Sequence, residues 1–283
     1  DVLGVLINVP LTWVLIFGKF GFPELGIRGA ALGTVIATAC SLLIYAVFFF
    51  NRIHRERFHV AEAFHYDRGI LRRYVRLGLP SGFETFVGAA TFNFFLLLFQ
   101  SYGITEGAAM AIVFNWDMLN YVPLIGLNIA VTSMIGRYVG SGDMTRANQV
   151  IAAGFTVALG FSVLLALFFV LFRYELMMVF ATPEQDFSAI AALGASMMLG
   201  MATYVVADAV ILVCSGVLRG AGDTRWLMNT SMTLHVLMLL GQYVMIKHLG
   251  VGPLVSWWGF VAMLLALALV YLLRLRGTTW RRP

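Results

Sequence analysis

Eight blocks of mostly apolar residues, each about 20 residues long, divide the chain. A helix of that length crosses the roughly 30 Å hydrocarbon core of a bilayer. Transmembrane β-barrels instead alternate apolar and polar residues, and only 12% of these residues are charged, about half the share of a soluble domain. The sequence therefore predicts an all-α membrane protein, a polytopic helical bundle with eight spans, at about 2–18, 28–50, 78–101, 107–136, 147–172, 190–218, 226–247 and 252–273.

The Lys and Arg residues predict the orientation of these spans. If residues 51–76 are cytoplasmic, fifteen of the 19 lie on the cytoplasmic side, as the positive-inside rule requires. The other four are Lys19, Arg28, Arg173 and Lys247. A basic loop can also bind nucleic acid, but this one contains acids and lies between spans. We therefore predict a cell-membrane protein with residues 51–76 and the C-terminus cytoplasmic, in contact with anionic lipid and without a nucleic-acid partner.

A weak internal repeat relates the two ends of the chain. Leu25-Gly26-Ile27 and Leu249-Gly250-Val251 both lie in the turn between two paired spans. Repeated halves are common in transporters. The chain also starts at Asp1, inside an apolar block. We therefore expect a fragment from which four N-terminal spans are missing.

Asp208 is an acid near the middle of the apolar segment 201–219, and Tyr204 precedes it by one helical turn. An Asp at the centre of a spanning helix costs roughly 2.5–3.5 kcal/mol and usually faces the bundle interior or a wet cavity. We interpret Asp208 as an ion or proton site, with Na⁺ as one candidate ion. The alternative is a buried Asp that neighbouring hydroxyl groups hold in place.

Three further polar residues are candidates for the same site. Glu84 follows Pro80 by one turn and is either a second cavity carboxylate or an interfacial acid paired with Arg76. Asp117, with Asn115 nearby, either lines the cavity or forms a hydrogen-bond node between helices.

Asn8 and Thr12 lie one turn apart in the first span, with Pro10 between them. They form either a polar face or a satisfied kink. His235 has no second imidazole or acid one turn away, so we do not expect a zinc site there.

Two glycine-rich turns resemble each other, at 140–143 and 220–223. Neither has the Lys-Ser/Thr pair of a phosphate-binding loop. We predict tight turns in which Asp143 and Asp223 each cap the following helix.

Several motifs resemble the multidrug and toxic compound extrusion (MATE) family. They are Arg76-Leu77-Gly78-Leu79-Pro80-Ser81, Val139-Gly140-Ser141-Gly142-Asp143, Asn8-Val9-Pro10 with Gly26-Ile27-Arg28-Gly29-Ala30-Ala31, and, most specific, Leu218-Arg219-Gly220-Ala221-Gly222-Asp223-Thr224. The resemblance implies twelve helices in two six-helix lobes. Residues 1–50 would then be the last two helices of the N-terminal lobe, 51–75 the cytoplasmic inter-lobe loop, and 76–283 the C-terminal lobe.

The resemblance also implies a function. It suggests a secondary active antiporter, not an enzyme, that exports organic cations such as cationic amphiphilic drugs in exchange for Na⁺ or H⁺. No cofactor besides the coupling ion is implied, and we expect a monomer. Asp208 and Tyr204 match site residues of the Na⁺-coupled bacterial branch. That branch has a Glu at the position of Gly88. In this chain the acid lies one turn earlier, at Glu84.

Two alternative functions remain at this point. A lipid-linked saccharide flippase of the same superfamily would need a basic cavity, whereas the Arg and Lys residues are predicted at the membrane interfaces. A membrane-embedded acyltransferase would need a His or Ser–acid constellation at depth, and only His235 is available.

Overall fold

The computed structural model describes residues 2–57, 66–181, 187–278 and 280, and this part of the chain is nearly all helical. Its ten α-helices are α1 Val2–Phe17, α2 Gly26–Phe49, α3 Arg52–Arg57, α4 Arg68–Gln100, α5 Ile104–Gly140, α6 Met144–Leu171, α7 Arg173–Met178, α8 Ser188–Gly220, α9 Thr224–Tyr243 and α10 Pro253–Arg276. A 3₁₀ turn, Lys19–Gly21, follows α1, and a π-helical turn, Val244–His248, extends α9.

The helices lie where the apolar blocks predicted them, and the protein is an all-α membrane protein. Among the described residues, α2, α4, α5, α6, α8 and α10 are long and apolar enough to cross a bilayer. The two other predicted spans are shorter or more polar. Helix α1 has 16 residues, and α9 has 20 residues before its π-helical turn.

The chain divides between residues 70 and 71 into two compact units. This division falls inside the predicted inter-lobe loop, of which residues 58–65 lie outside the described residues. In the N-terminal unit, α1 and α2 form a hairpin. Gly29 and Gly33 face α1 so closely that a β carbon on either would overlap Leu15 or Thr12. Small residues at such positions let membrane helices approach each other.

Helix α8 is the centre of the C-terminal unit. In its most apolar stretch 67% of the residues are buried, against 22–33% in α4, α5, α6 and α10. Two apolar clusters surround it, one around Phe95, Met197 and Trp257 and the other around Ile135, Val213 and Leu227. Most side chains on α8 therefore face other helices, and the polar ones among them need partners there.

Helix α4 begins before the predicted start near Gly78. The Asp67 carboxylate accepts hydrogen bonds from the backbone amides of Gly69 (2.6 Å) and Ile70 (3.1 Å), which is the usual way to start a helix. Pro80 lies inside the helix and removes one backbone hydrogen bond there.

The two glycine-rich turns have the same backbone. Gly142 (φ +77°) and Gly222 (φ +85°) are both left-handed, the conformation that ends many helices and that glycine adopts without strain. The Asp143 side chain caps α6 by accepting from the Arg146 amide at 3.0 Å.

The predicted cap at Asp223 is wrong. Its side chain makes no capping bond and instead accepts from the Arg274 guanidinium of α10 at 2.7 and 2.9 Å. A nearby guanidinium is a stronger partner for a carboxylate than a neutral amide.

The predicted repeat has a structural counterpart. Gly26 (φ +51°), the first residue of α2, and Gly250 (φ +59°), three residues before α10, are both left-handed. The two turns therefore share a backbone conformation as well as three similar residues.

Candidate binding cavity

A cavity of about 600 Å³ lies within the C-terminal unit. Its wall residues come from α4, α5, α8, α9 and α10. On α5 they recur every three or four residues, and the same spacing is found on α8, so each helix presents one face to the cavity. The polar members are Glu84, Thr85, Asn93, Asp117, Tyr121, Asn128, Tyr204, Asp208, Ser215, Arg219, Ser231, His235 and Tyr271.

Asp117 and Asp208 come from neighbouring helices and share the cavity wall. Asp117 is 7% exposed, and its Oδ1 is buried without a hydrogen-bond partner among the described residues. Asp208 is partly buried and close enough to Asp117 for the two carboxyl groups to interact electrostatically. Two like charges in a low dielectric repel each other strongly, so this pair favours a cation or a proton between the two groups.

The Tyr204 ring is fixed on the same wall, one turn before Asp208. It packs edge-to-face against Trp257 and Phe260, with ring centroids 6.0 and 5.9 Å away. Trp257 donates from Nε1 to the Met197 carbonyl at 2.9 Å and lies against Gly200, where a β carbon would be 2.5 Å from Nε1.

The Tyr204 hydroxyl oxygen is buried, and no hydrogen bond satisfies it in the part of the chain that the structure describes. A buried polar atom without a partner is costly. It lies close enough to the Asp117 carboxyl group for the two side chains to interact, so these buried oxygen atoms form one polar pair at this wall.

Glu84 also lines the cavity, and it is 9% exposed. One of its two interpretations was an ion pair with Arg76 at the interface, but Glu84 pairs with Arg219 of α8, Nη2 to Oε2 at 3.1 Å. Arg219 also donates from Nη1 to Asn128 Oδ1 at 3.4 Å. Asn128 in turn donates to the Leu212 carbonyl at 2.6 Å, so a polar network joins α4, α5 and α8.

The position of Arg219 corrects the prediction that every Arg and Lys lies at a membrane interface. Arg219 is in the last turn of α8, but helical side chains point toward the N-terminus of their helix. Its long side chain therefore extends back along α8 into the bundle, where it lines the cavity.

Asn120 forms the hydrogen-bond node that was one interpretation of Asp117. It is fully buried, accepts from Ser162 Oγ of α6 at 2.8 Å and donates to the Val205 carbonyl of α8 at 3.5 Å. Asn120, one turn away from Asp117, thus connects α5, α6 and α8 by hydrogen bonds and contributes to their packing specificity.

His235 of α9 lines the cavity. Its Nδ1 lies 2.8 Å from the Ser231 carbonyl oxygen, and because a carbonyl only accepts, Nδ1 carries the proton in this geometry. No group of three His, Cys, Asp or Glu side chains suited to a metal ion occurs among the described residues.

Two of the predicted site residues lie elsewhere. Asn115 is exposed on α5 and donates to the Ala111 carbonyl at 2.8 Å. Residues two apart on a helix do not share a face, so its separation from Asp117 by two positions already indicated this. Asn8 belongs to the N-terminal unit and donates to Thr34 Oγ1 of α2 at 3.4 Å, not to Thr12.

Gly88 lies on the cavity wall one turn after Glu84. A β carbon at Gly88 would have no heavy atom within 4 Å. The position therefore has room for a longer side chain, and the Glu84 carboxylate reaches the same cavity from the neighbouring turn.

The chain matches the MatE family over residues 80–244. These residues include α5, α6, α8, α9 and most of α4, and thus every polar wall residue of the cavity except Tyr271.

Solved transporter structures share the fold. A MOP superfamily transporter from Pyrococcus furiosus, described as having a binding pocket of reversed polarity, is 21% identical, with a TM-score of 0.85. An outward-facing multidrug resistance MATE transporter is 20% identical, also with 0.85. A MATE protein in complex with MaL6 is 21% identical, with 0.83. In all three cases this whole chain is covered, but only 62% of the transporter. The chain thus spans less than two thirds of their length.

Proposed function

Because the chain belongs to the MatE family of membrane transporters, we propose that it forms the C-terminal lobe and the last two N-terminal helices of a secondary active antiporter. The antiporter exports organic cations in exchange for Na⁺ or H⁺. We further propose that it is a monomer in the cell membrane, with residues 51–76 and the C-terminus cytoplasmic. Residues 58–65, Arg281 and Arg282, which belong to that prediction, lie outside the described residues.

The charge balance of the cavity is the observation that carries this proposal. Among its described wall residues are three carboxyl groups, Glu84, Asp117 and Asp208, and one guanidinium, Arg219. Arg219 pairs with Glu84, which leaves the two aspartates without an opposite charge. Since a low dielectric strengthens electrostatic attraction, such a cavity favours cations over anions.

The same two aspartates are suited to the coupling ion. Asp117 Oδ1 and Tyr204 Oη are buried oxygen atoms without partners among the described residues, and Asp208 shares their wall. Carboxylate and hydroxyl oxygens can hold Na⁺, and either carboxylate can hold a proton. A coupling ion and an organic cation that compete for these groups would exchange as the lobes alternate between the two sides of the membrane.

Aromatic and apolar residues supply the remaining wall. Phe92, Phe114 and Phe260 contact one another, with ring centroids 5.0–6.5 Å apart, and all three line the cavity. Aromatic faces attract organic cations. A flat amphiphilic cation is therefore the substrate class that fits both the charge and the surface of the wall.

Arg219 is the one observation in favour of a flippase for lipid-linked saccharides, because a guanidinium in the cavity could bind a pyrophosphate. Its pairing with Glu84 weakens this alternative, since the net formal charge of the wall stays negative. An acyltransferase has less support still, because His235 Nδ1 is directed at a backbone carbonyl and family members are transporters.

Ethidium efflux from cells that express the protein tests the proposal. The Asp208→Asn variant should lose efflux while its amount in the membrane is unchanged. Asp143→Asn is the matched control, because it makes the same chemical change at a helix cap outside the cavity and Asn caps equally well.

Varying external Na⁺ and pH independently identifies the coupling ion, since only the coupled ion changes the efflux rate of the wild type. Wild-type efflux by Asp208→Asn would exclude Asp208 from the mechanism. Loss of efflux in both variants would point to a folding defect.

A further inference from the structure

A second concave surface lies between α5 and α6, and none of its residues lines the cavity. It is an open groove of about 440 Å³. It follows the last third of α5 and the first half of α6, on either side of the turn at 141–143. Its residues are Leu127, Ala130, Val131, Met134, Tyr138, Arg146, Gln149, Val150, Ala153, Gly154 and Val157.

The floor of the groove is apolar. Gly154 of α6 faces Val131 of α5, and a β carbon on Gly154 would lie 3.1 Å from Val131 Cγ2. The absence of a side chain at Gly154 therefore lets α6 pack closely against α5 at the floor of the groove. Val157 and Met134 at its edges are 58% and 45% exposed.

The end of the groove nearest the turn is polar and positively charged. The Arg146 guanidinium lies over the Tyr138 ring, 6.0 Å from its centroid, and Gln149 lies one turn further along α6. Arg146 also pairs with Asp143 at 3.4 Å, but its side chain is 65% exposed. Because exposed pairs contribute little, the guanidinium can turn toward another anion.

The dimensions of the groove match one leaflet of a bilayer. Eleven residues separate Leu127 from Tyr138, which corresponds to about 16 Å along the helix axis, close to half of the roughly 30 Å hydrocarbon core. The charged end lies on the side where the Lys and Arg majority predicts the cytoplasm. Anionic lipids are concentrated in that leaflet.

We propose that this groove binds an anionic phospholipid, with the phosphate at Arg146 and Gln149 and one acyl chain along the floor formed by Val131, Val150 and Gly154. The charge of Arg146 selects an anionic headgroup, and the apolar floor accepts the chain. Tyr138 lies at the boundary between the two parts, as tyrosine does at membrane interfaces. The site is separate from the transport cavity.

Native mass spectrometry of the purified protein, titrated in detergent with phosphatidylglycerol or with phosphatidylcholine of the same chains, tests this site. The wild type should retain phosphatidylglycerol preferentially. Arg146→Gln should reduce that preference about fivefold, which corresponds to about 1 kcal/mol for one basic residue near the membrane surface. Arg173→Gln is the matched control, because Arg173 also lies over a tyrosine ring, that of Tyr174 at 5.3 Å, but far along the sequence from the groove.

A second pair of variants tests the apolar part. Ala153→Trp or Val157→Trp should fill the groove from an exposed position and reduce retention of both lipids, with an unchanged melting temperature. Equal lipid preference in the wild type, or equal loss in Arg146→Gln and Arg173→Gln, would overturn the proposal. The proposal would also be overturned if the thiol of an Ala153→Cys variant did not react with a membrane-soluble maleimide in lipid-free protein. Another protein segment would then cover the groove.

Discussion

Arg219, in the last turn of α8, lies 3.1 Å from the carboxylate of Glu84 on α4. The side chains are 29% and 10% exposed, so the pair is mostly removed from water. It joins two helices that are 135 positions apart in the sequence. It also neutralises one of the three acids of the cavity, so the net charge of the cavity wall depends on this contact.

Separating this pair should be more harmful than removing it. Arg219→Gln leaves Glu84 buried without its guanidinium, and an unpaired buried charge is strongly destabilising. The double variant Glu84→Gln/Arg219→Gln should recover part of the loss, with a coupling energy of about 0.5–3 kcal/mol. Melting temperatures of the four proteins in detergent measure this. Additive effects would show that the two side chains do not stabilise each other.

Removing the Tyr204 hydroxyl should affect transport but not stability. The ring contacts with Trp257 and Phe260 remain in Tyr204→Phe, and the hydroxyl group lies near Asp117 without completing a hydrogen bond among the described residues. We expect an equal or higher melting temperature and reduced ethidium efflux. Tyr102→Phe is a control with the opposite expected result. It loses the 2.7 Å hydrogen bond to the Val251 carbonyl, worth about 1 kcal/mol, so its melting temperature should fall while its efflux is kept. A clear drop in the melting temperature of Tyr204→Phe would indicate a structural role for its hydroxyl.

The final glycines of α5 and α8 should respond differently to the same substitution. A β carbon on Gly220 would lie 2.5 Å from the Thr132 carbonyl oxygen, whereas one on Gly140 would meet nothing within 4 Å. Gly220→Ala should therefore cost about 1–3 kcal/mol through overpacking, and Gly140→Ala should be neutral or slightly stabilising. Thermal unfolding in detergent compares the two. Equal effects would mean that α5 and α8 are not in close contact at Gly220.

The aspartates of the two similar turns should also differ. Asp223→Asn loses the charge that pairs with Arg274, and a hydrogen bond to a charged group contributes about 1.5–3 kcal/mol. Asp143→Asn retains a capping residue and loses only an exposed ion pair. The melting temperature should fall more for Asp223→Asn than for Asp143→Asn. The reverse order would mean that capping matters more than the contact with α10.

Most of the fold could be predicted because the length and hydropathy of a segment largely decide whether it forms a membrane-spanning helix. Blocks of about 20 apolar residues must be helices in hydrocarbon, and the sequence therefore located α2, α5, α6, α8 and α10 closely. Helix ends were less predictable, since they depend on single hydrogen bonds. The Asp67 cap moves the start of α4 to Arg68, and the ion pair with Arg274 removes Asp223 from its expected role.

The cavity could be predicted only in part. Asp208 lies on its wall because an acid in an apolar helix is costly in contact with lipid and therefore faces other helices or a cavity. Tyr204 lies on the same wall because it is one helical turn away. Arg219 was missed because counting charges near span ends ignores the direction in which a long side chain points. Asn128 and Tyr121 were missed too, although their spacing from Asp117 follows the helical repeat. Which face of α5 meets α8 depends on packing, and no single helix encodes it.

The bare α carbon at Gly200 has a consequence for how this binding wall could evolve. Gly200 does not line the cavity, yet it leaves the space in which Trp257 lies, and Trp257 supports the Tyr204 and Phe260 rings that do. Even one methyl group there would push the indole toward those rings. Under the proposed function, the range of molecules that fit this wall can thus change through a position that does not line the cavity.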